Sequence, residues 1–308
     1  MTITLIGVAI AAIIAIEVAV RAYGLVDFPV YEVDSKLGYV ARANQSGSFL
    51  NRNDWYFNDK NMPIAQNWDA GIRPNILLIG NSIVMGGNSY RQQDKLAPKI
   101  QKRLGGRPFV WPIAVGGWTQ LNEMAYLAVR HPEIALNADC IAWEYMAGGL
   151  SRATPWRGEL VSPTRRPAYA TWYLLQRYIA PVIPASSGAR ELPVTGSAQE
   201  VNIAKFDAAI ADLTKSGVRR RRGLIWLYPR AAELELAQAG KEWLPERLQI
   251  EKIANKHGLG IVDVASNIQW NKSLYRDDGV HPTVAGNDVL ASILAVEFAN
   301  LSRLIDSE

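Results

Sequence analysis

The chain has 308 residues, of which 49% are hydrophobic, enough for one large α/β domain or two small domains with a substantial core. Its 33 basic and 29 acidic residues leave a net charge of only +4, which argues against a nucleic-acid-binding protein. Three histidines and the single Cys140 offer neither an internal disulfide nor a metal cluster, and no P-loop or dinucleotide fingerprint is present, so we expect no cofactor.

The N-terminus carries an apolar run from residue 3 to residue 20, interrupted by a threonine, a glycine and Glu17. At about 1.5 Å per residue, a helix of this length reaches roughly 27 Å, enough to cross the apolar part of a bilayer. No basic residue precedes Arg21 and no small-residue cleavage site follows the run. A retained membrane anchor over residues 1–21 is therefore favoured over the alternative, a cleaved signal peptide. Arg21 itself is a weak cue for a cytoplasmic C-terminal part.

Between the apolar run and residue 75 the sequence shows no long hydrophobic period. Residues 27–70 are rich in Asn, Asp, Gly and aromatic residues. We therefore interpret residues 22–74 as an irregular stalk that packs against the domain that follows it.

From residue 75 onward, short apolar runs alternate with segments of helical period. The predicted strands cover residues 76–79, 109–114, 140–145, 224–228 and 261–264. The predicted helices cover residues 96–104, 121–129, 203–213, a region that ends at residue 257, and residues 284–301. This alternation predicts an α/β fold, a three-layer α/β/α sandwich over residues 75–308 in which about five parallel strands are covered by helices on both faces.

Two segments stand apart from this alternation. Residues 148–197 are rich in proline and aromatic residues, and we interpret them as an insertion or lid beside the site rather than as a separate domain. Residues 219–222 are four consecutive arginines between a predicted helix and a predicted strand. A solvated turn is the favoured interpretation of this basic cluster, and a contact with anionic lipid or an acidic polysaccharide is the alternative.

The residues that can carry chemistry follow strand ends, where open parallel sheets place their sites. Ser82 follows the first predicted strand on a glycine-flanked turn, and His281 lies on the loop before the last predicted helix. A serine hydroxyl needs a base to remove its proton, and that base needs a third group to fix its tautomer. Of the three histidines, only His281 has an acid three residues before it, Asp278. The two motifs together predict a catalytic triad of Ser82, His281 and Asp278.

This layout resembles the SGNH, or GDSL-type, hydrolases, whose first motif is G-D-S after the first strand and whose last is D-x-x-H-P near the C-terminus. Asn81 stands where the family usually has Asp, a position that mainly shapes the turn. The family's second motif, a glycine after the second strand, is matched by A-V-G-G-W-T at residues 114–119. The resemblance implies a flavodoxin-like sheet, a serine esterase or acyltransferase activity, and an oxyanion held by the backbone N–H groups of Ser82 and Gly117.

The third motif is where this sequence departs from the family. The family has G-x-N-D after its third strand, with the Asn side chain as a further oxyanion donor, whereas here Gly148 stands where that Asn would be. Loss of one such donor costs on the order of 10²–10³ in rate in a serine protease. Either another group near Gly148 substitutes, or the enzyme is slow, or its reaction tolerates the loss. Glu144, at the end of the same predicted strand, is interpreted as structural.

A second and less specific resemblance lies in the predicted stalk. D-x-x-L-G-Y at residues 34–39 and W-x-F-N at residues 55–58 resemble a segment that joins an N-terminal anchor to an SGNH domain in bacterial proteins associated with exopolysaccharide production. It implies a single-pass inner-membrane protein whose domain faces the periplasm, opposite to the cue of Arg21, and an acylated carbohydrate as substrate. Trp118 and Trp156 are then candidate surfaces for stacking on sugar rings, and filling of the apolar wall is the alternative.

Three functions therefore stay open at the level of the sequence. The first is an esterase that removes acyl groups, acetyl above all, from an exopolysaccharide or a related carbohydrate. The second is an O-acyltransferase with the same triad, in which a sugar hydroxyl replaces water. The third is a non-catalytic partner of exopolysaccharide synthesis or secretion proteins, which the missing Asn favours and the intact triad disfavours.

Overall fold

A central sheet of parallel strands organises the chain. The computed structural model describes residues 2–179, 196–215 and 222–306. Its strands are β1 (Tyr31–Asp34), β2 (Gly38–Ala41), β3 (Gln45–Phe49), β4 (Asn53–Phe57), β5 (Asn75–Gly80), β6 (Phe109–Ala114), β7 (Cys140–Tyr145), β8 (Arg222–Leu227) and β9 (Gly260–Asp263). Its helices are α1 (Thr2–Ala22), α2 (Ser82–Met85), α3 (Leu96–Arg103), α4 (Gln120–Ala125), α5 (Pro132–Leu136), α6 (Ala170–Leu174), α7 (Gly196–Lys215), α8 (Ala231–Gln238), α9 (Arg247–His257) and α10 (Val284–Asp306).

The central sheet has the order β6-β5-β7-β8-β9, and every neighbouring pair is parallel. Strand β5, with the sequence N-I-L-L-I-G, is buried along its whole length, as expected for a parallel strand covered on both faces. The predicted fold, about five parallel strands between helices, is confirmed. The strand order reverses between β5 and β7, so the loops after these two strands flank the crevice in which open sheets bind ligands.

Successive residues of the strands point to opposite faces and so build two separate cores. Leu77 of β5 packs on one face with Phe206 of α7, in the cluster to which α9 also contributes. Leu78 packs on the other face with Ile100 of α3, in the cluster to which α10 contributes. The two clusters are the two interfaces of a three-layer α/β/α sandwich.

The segment between α1 and the sheet is more regular than its sequence indicates. Strand β1 pairs with β2 and β3 with β4, so two antiparallel hairpins occupy residues 31–57 of the segment at 22–74 that was expected to be irregular. Tyr39 of β2 and Trp55 of β4 are fully buried, one in each of the two cores. The strands are only four or five residues long, and Q-S-G-S-F in β3 has almost no apolar alternation, so the hydrophobic pattern does not reveal them.

In the described ranges, two helical stretches are long and apolar enough to cross a membrane, Thr4–Ala22 and Val284–Arg303. The second lies in α10, whose Leu290, Leu294 and Phe298 are fully buried against the sheet, so it is a core helix. The first is the predicted N-terminal apolar helix, of which no residue is fully buried and only Glu17, Ala19 and Val20, near its end, are partly buried.

Two of the predicted segments fall partly outside the described residues. Residues 180–195 of the insertion at 148–197 lie outside them, and of the basic cluster at 219–222 only Arg222 lies inside, at the start of β8. The described part of the insertion contacts the first hairpin, where the backbone N–H of Tyr31 donates to the carbonyl of Pro163 at 2.8 Å.

Candidate active site

Ser82 begins α2 directly after the buried strand β5. Asn81 caps this short helix, because its side-chain oxygen accepts a hydrogen bond from the backbone N–H of Ile83 at 3.1 Å. Gly86 ends the helix in the left-handed conformation, at φ +77°. The strand, the cap and the single helical turn together present a half-buried serine at the carboxyl edge of the sheet. Asn81 performs the turn-shaping role that the sequence indicates for this position.

The structure brings Ser82, His281 and Asp278 together. Nε2 of His281 lies 2.9 Å from Oγ of Ser82, and Nδ1 of His281 lies 2.8 Å from a carboxylate oxygen of Asp278. A carboxylate can only accept, so Nδ1 carries the proton and Nε2 is free to accept the proton of the serine hydroxyl. Three residues separated by up to 199 positions in the chain therefore form the hydrogen-bonded series that a serine nucleophile requires.

Asp278 is held in its ionised form by its own loop. Burial alone would raise the pKa of this carboxyl, but hydrogen bonds from the backbone N–H groups of His281 and Val280 and from the His281 ring outweigh that effect and lower the pKa. Asp277 makes no such contact with His281 in the part of the chain that the structure describes. The two adjacent aspartates therefore differ in their geometry toward the base, as their spacing in the sequence predicts.

The loop that carries His281 is attached to the end of β8. The hydroxyl of Tyr228 donates to the carbonyl of Val280 at 2.8 Å, and the backbone N–H of Ala231 donates to the carbonyl of Gly279 at 2.8 Å. The hydroxyl of Tyr90 donates to the carbonyl of Pro282 on the other side. These contacts fix the base relative to the sheet, and no local sequence motif reveals them.

The turn after β6 lies beside the serine. A Cβ built on Gly116 would lie 3.9 Å from Cβ of Ser82, and the carbonyl of Gly116 accepts a hydrogen bond from the Tyr39 hydroxyl at 2.6 Å. Gly117 follows at φ +84°, and a Cβ there would lie 2.9 Å from the Tyr39 hydroxyl oxygen. Both the left-handed conformation and this close approach require glycine at position 117. The first hairpin, through Tyr39, therefore supports the turn expected to bind the oxyanion.

The loop after β7 is open where the family has its Asn. Gly148 has φ +76°, and no atom lies within 4 Å of the position that a Cβ would occupy there. Its backbone N–H donates to a carboxylate oxygen of Glu246 at 3.3 Å. Two polar side chains from other elements border this loop. Gln120 donates to the carbonyl of Glu144 at 2.9 Å, and Arg230 donates to the carbonyl of Ala147 at 3.3 Å.

An arginine of the insertion also lies at this edge of the sheet. The guanidinium carbon of Arg157 is 3.1 Å from the position that a Cβ on Gly117 would occupy, and the side chain is exposed. Burial raises the pKa of the neighbouring Tyr39 hydroxyl, and the charge of Arg157 offsets part of that rise. The sequence analysis missed Arg157, Gln120 and Arg230 because each belongs to a different segment and none forms a motif with its neighbours.

Two carboxyl groups are buried under the site. One oxygen of Glu144 accepts a hydrogen bond from the backbone N–H of Asn81 at 3.0 Å, directly before the nucleophile. Burial raises the pKa of Glu144 to about 8, although the hydrogen bonds from Asn81 lower it in part. Glu123 accepts from Nε1 of Trp143 at 2.5 Å, and burial raises its pKa well above the usual value. Gly80 is glycine because a Cβ there would lie 2.1 Å from the Glu144 carboxyl.

The two tryptophans proposed as sugar-stacking surfaces differ. Trp118 is only 3% exposed, its Nε1 donates to the carbonyl of Tyr39 at 2.8 Å, and its ring packs 5.7 Å from that of Tyr126. It is therefore a core side chain, and the expectation of a stacking surface there is corrected. Trp156 is half-buried, packs against the first core, and donates from its Nε1 to the carbonyl of Ser162 at 2.8 Å.

The other two histidines have partners of their own. His131 is bonded to Asn61 and Glu133, and Nε2 of His257 lies 2.6 Å from a carboxylate oxygen of Asp207. Within residues 2–179, 196–215 and 222–306, no three His, Cys, Asp or Glu side chains are grouped so as to hold a metal ion.

No protein-family model and no curated protein matches this sequence. Several solved structures are similar to it at low identity. A two-domain esterase (CEX) active on acetylated mannans, crystallised with mannopentaose, is 14% identical with a TM-score of 0.47, over 74% of this chain and 50% of that one. The chain thus spans half the length of that esterase.

Two further similar structures are an acetylesterase and an acylhydrolase. A carbohydrate acetylesterase family member from Sinorhizobium meliloti is 15% identical with a TM-score of 0.43, over 74% of this chain and 98% of that one. A lipase/acylhydrolase from Enterococcus faecalis is 11% identical with a TM-score of 0.45, over 72% and 94%. At these identities we base the functional proposal on the geometry around Ser82.

Proposed function

We propose that the chain is a serine esterase that hydrolyses acyl esters through an acyl-enzyme on Ser82. The observation that carries this proposal is the continuous series of hydrogen bonds from Ser82 through His281 to Asp278, at 2.9 Å and 2.8 Å. A Ser, a His and an Asp joined in this order form the arrangement that activates a serine hydroxyl on several unrelated folds.

Each group has a role in this proposal. Oγ of Ser82 attacks the carbonyl carbon of the ester while Nε2 of His281 takes its proton, and Asp278 stabilises the imidazolium that forms. The backbone N–H groups of Ser82 and Gly117 hold the oxyanion of the tetrahedral intermediate. His281 then protonates the leaving alcohol. In the second half-reaction His281 activates a water molecule, which releases the carboxylic acid and restores Ser82.

We propose an acetyl or similar acyl group on an exopolysaccharide or related carbohydrate as the substrate. The resemblance of residues 34–39 and 55–58 to anchored proteins of exopolysaccharide production supports it. The exposed part of Trp156, in the segment that also places Arg157 beside Gly117, offers a surface on which a sugar ring can stack. Partners among exopolysaccharide synthesis proteins are part of the same proposal.

The location that we propose is the bacterial inner membrane, with α1 as a single-pass anchor and the catalytic domain in the periplasm. Contacts of α1 with the rest of the chain support its retention. Arg21 donates to the carbonyls of Pro167 and Ala168 at 3.0 and 2.7 Å, so the end of α1 takes part in the fold. Protease added to spheroplasts should digest the domain and leave a membrane-bound fragment. Release of a shortened soluble form would favour a signal peptide, and full protection would place the domain in the cytoplasm.

A fluorophosphonate that reacts with activated serines tests the esterase proposal. Intact-mass measurement should show one adduct on the wild-type protein and none on the Ser82→Ala variant, and aryl acetates should be hydrolysed only by the wild type. Activity that survives Ser82→Ala would refute the assignment. Inertness of the wild type toward both reagents would favour the non-catalytic partner, to which the open position at Gly148 points. Acyl transfer to a sugar acceptor in preference to water would identify an acyltransferase.

A further inference from the structure

The described part of the insertion ends in a short helix with two different faces. Helix α6 continues as a wider helical turn over Leu175–Ile179. On the inner face, Ala170 and Tyr173 are buried against Val26 and Phe28. The outer face carries large apolar and aromatic side chains that are mostly exposed, namely Tyr169 (75%), Trp172 (60%), Leu175 (39%), Tyr178 (58%) and Ile179 (55%). No described residue covers this face.

This helix is fastened to the C-terminal end of α1. The carboxylate of Glu17 accepts hydrogen bonds from the backbone N–H groups of Ala170 and Thr171 at 2.8 and 2.9 Å, and thereby caps the start of α6. Arg21, one turn further along α1, binds Glu17 at 2.8 Å and the two carbonyls that precede α6. The one acidic residue inside the apolar run thus has a structural explanation, because it joins α6 to the anchor.

The position of this joint identifies what covers the exposed face. Glu17 and Arg21 lie in the last two turns of α1, at the level where a membrane helix leaves the apolar part of the bilayer. Val20 of α1 and Leu174 of α6 pack against the same small core, so the two helices lie side by side there. The end of α1 also carries exposed apolar side chains, since Val18 is 60% and the following Tyr23 69% exposed. Trp and Tyr are the side chains enriched at this interface. The half-buried Arg177 lies over the Tyr178 ring, 5.6 Å from its centroid, and donates to the Tyr173 hydroxyl at 2.5 Å. Arg165, which precedes α6 in the chain, is exposed. Cations at the membrane surface bind lipid phosphates.

We propose that residues 169–179 form a second membrane contact, an amphipathic segment that lies in the lipid headgroup region of the membrane crossed by α1. The inference rests on the proposed membrane helix α1 and is independent of the esterase chemistry. A bilayer is the occupant that fits, because its interface meets the end of α1 and accommodates a row of aromatic side chains with flanking arginines. Attachment at two points fixes the orientation of the domain relative to the membrane, which a single helix does not.

Site-directed probes on the full chain in liposomes test this contact. Trp172→Cys and Tyr178→Cys place a label on the outer face of α6, and Ile13→Cys places one inside the membrane helix. Ile268→Cys, at a side chain that is 99% exposed, is the matched control outside α1 and α6. The native Cys140 is buried and its pKa is raised to about 12 by burial, so it does not compete for the label. Lipids that carry a quencher near the headgroup report the position of each label.

We expect about threefold more quenching by these lipids at residues 172 and 178 than at residue 268, with the residue 13 label reached only by quenchers deeper in the acyl chains. If the label at residue 13 lies in lipid while the labels at residues 172 and 178 are as accessible to water as the label at residue 268, the second contact alone is overturned. A residue 13 label in water would overturn the membrane helix as well. If the label at residue 172 stays shielded from water in detergent, and the shielding grows with protein concentration, a second copy of the chain covers this face. That result would also overturn the proposed membrane contact. Ser82→Ala should change none of these results.

Discussion

At the scale of single residues, we expect the proposed triad of Ser82, His281 and Asp278 to act as a unit, so that the effects of removing its members are not additive. Ser82→Ala and His281→Ala should each lower kcat by roughly 10³-fold or more, and the double variant should be little worse than either. Asp278→Asn should also lower kcat, because the amide favours the wrong tautomer of His281. Asp277→Asn is the matched control and should leave kcat almost unchanged. Equal losses for the two aspartate variants, measured on an aryl acetate, would contradict the assignment.

The open position in the third motif gives a second prediction. Gly148→Asn should raise kcat by up to about 10²-fold if the missing donor limits the rate. The structure leaves room for the side chain, and among residues other than glycine Asn is one that tolerates a φ of +76°. Gly148→Ala is the control, because it imposes a similar backbone strain without a donor. A rise in kcat with both variants, or a fall in kcat with both at unchanged thermal stability, would show that the rate is not limited by a missing oxyanion donor at position 148.

The sequence indicated Ser82, His281 and Asp278 because these residues carry recognisable spacing at strand ends, and the structure places their side chains within hydrogen-bonding distance of one another. Their catalytic role stays a prediction. It could not predict Arg157 or Gln120, since their place beside the site depends on how the insertion and α4 pack. It was wrong about Trp118 for a related reason. An aromatic residue next to a proposed oxyanion glycine can face either the cleft or the core, and only the packing of β2 and α4 decides that.

At the scale of elements, the five strands of the central sheet were predictable because each is a continuous apolar run closed by a turn signal. The two hairpins were not, since their stability comes from burial of a few side chains such as Tyr39 and Trp55 in cores built by distant segments. Their role was equally hidden. The first hairpin supplies the hydroxyl that holds the carbonyl of Gly116.

Removal of that hydroxyl tests whether the hairpin positions the oxyanion turn. Tyr39→Phe deletes the 2.6 Å hydrogen bond to Gly116 and should cost about 1 kcal/mol of unfolding free energy. Because the turn of Gly117 then loosens, we expect kcat to fall by about tenfold with little change in KM. Tyr31→Phe is the control on the same hairpin, since its hydroxyl has no hydrogen-bond partner among the described residues. Equal kinetic losses in both variants would indicate a general effect on the fold.

At the scale of the whole molecule, the buried carboxyls make stability depend on pH. Burial raises the pKa of Glu144 from 4.5 to about 8, so the native carboxyl stays protonated over a range in which the unfolded chain is ionised. The native state then binds more protons than the unfolded state, and the free energy of unfolding falls as pH rises between these two values. Glu123 has a raised pKa for the same reason and adds to the slope. Surface ion pairs contribute little, because solvent screens them.

Substitution of Glu144 by Gln should flatten this dependence. The amide oxygen of Gln can still accept the hydrogen bond from Asn81, but it cannot ionise, so its burial cost does not change with pH. Relative to the wild type, Glu144→Gln should gain stability between about pH 5 and about pH 8, by an amount on the order of 1–3 kcal/mol given about 1.4 kcal/mol per pKa unit. Glu242→Gln removes one exposed carboxylate and controls for net charge. Urea unfolding of the full chain in detergent at several pH values measures the difference. If the free energy of unfolding depends on pH in the same way for the wild type and for Glu144→Gln, then Glu144 is not the group that keeps its proton in the native state.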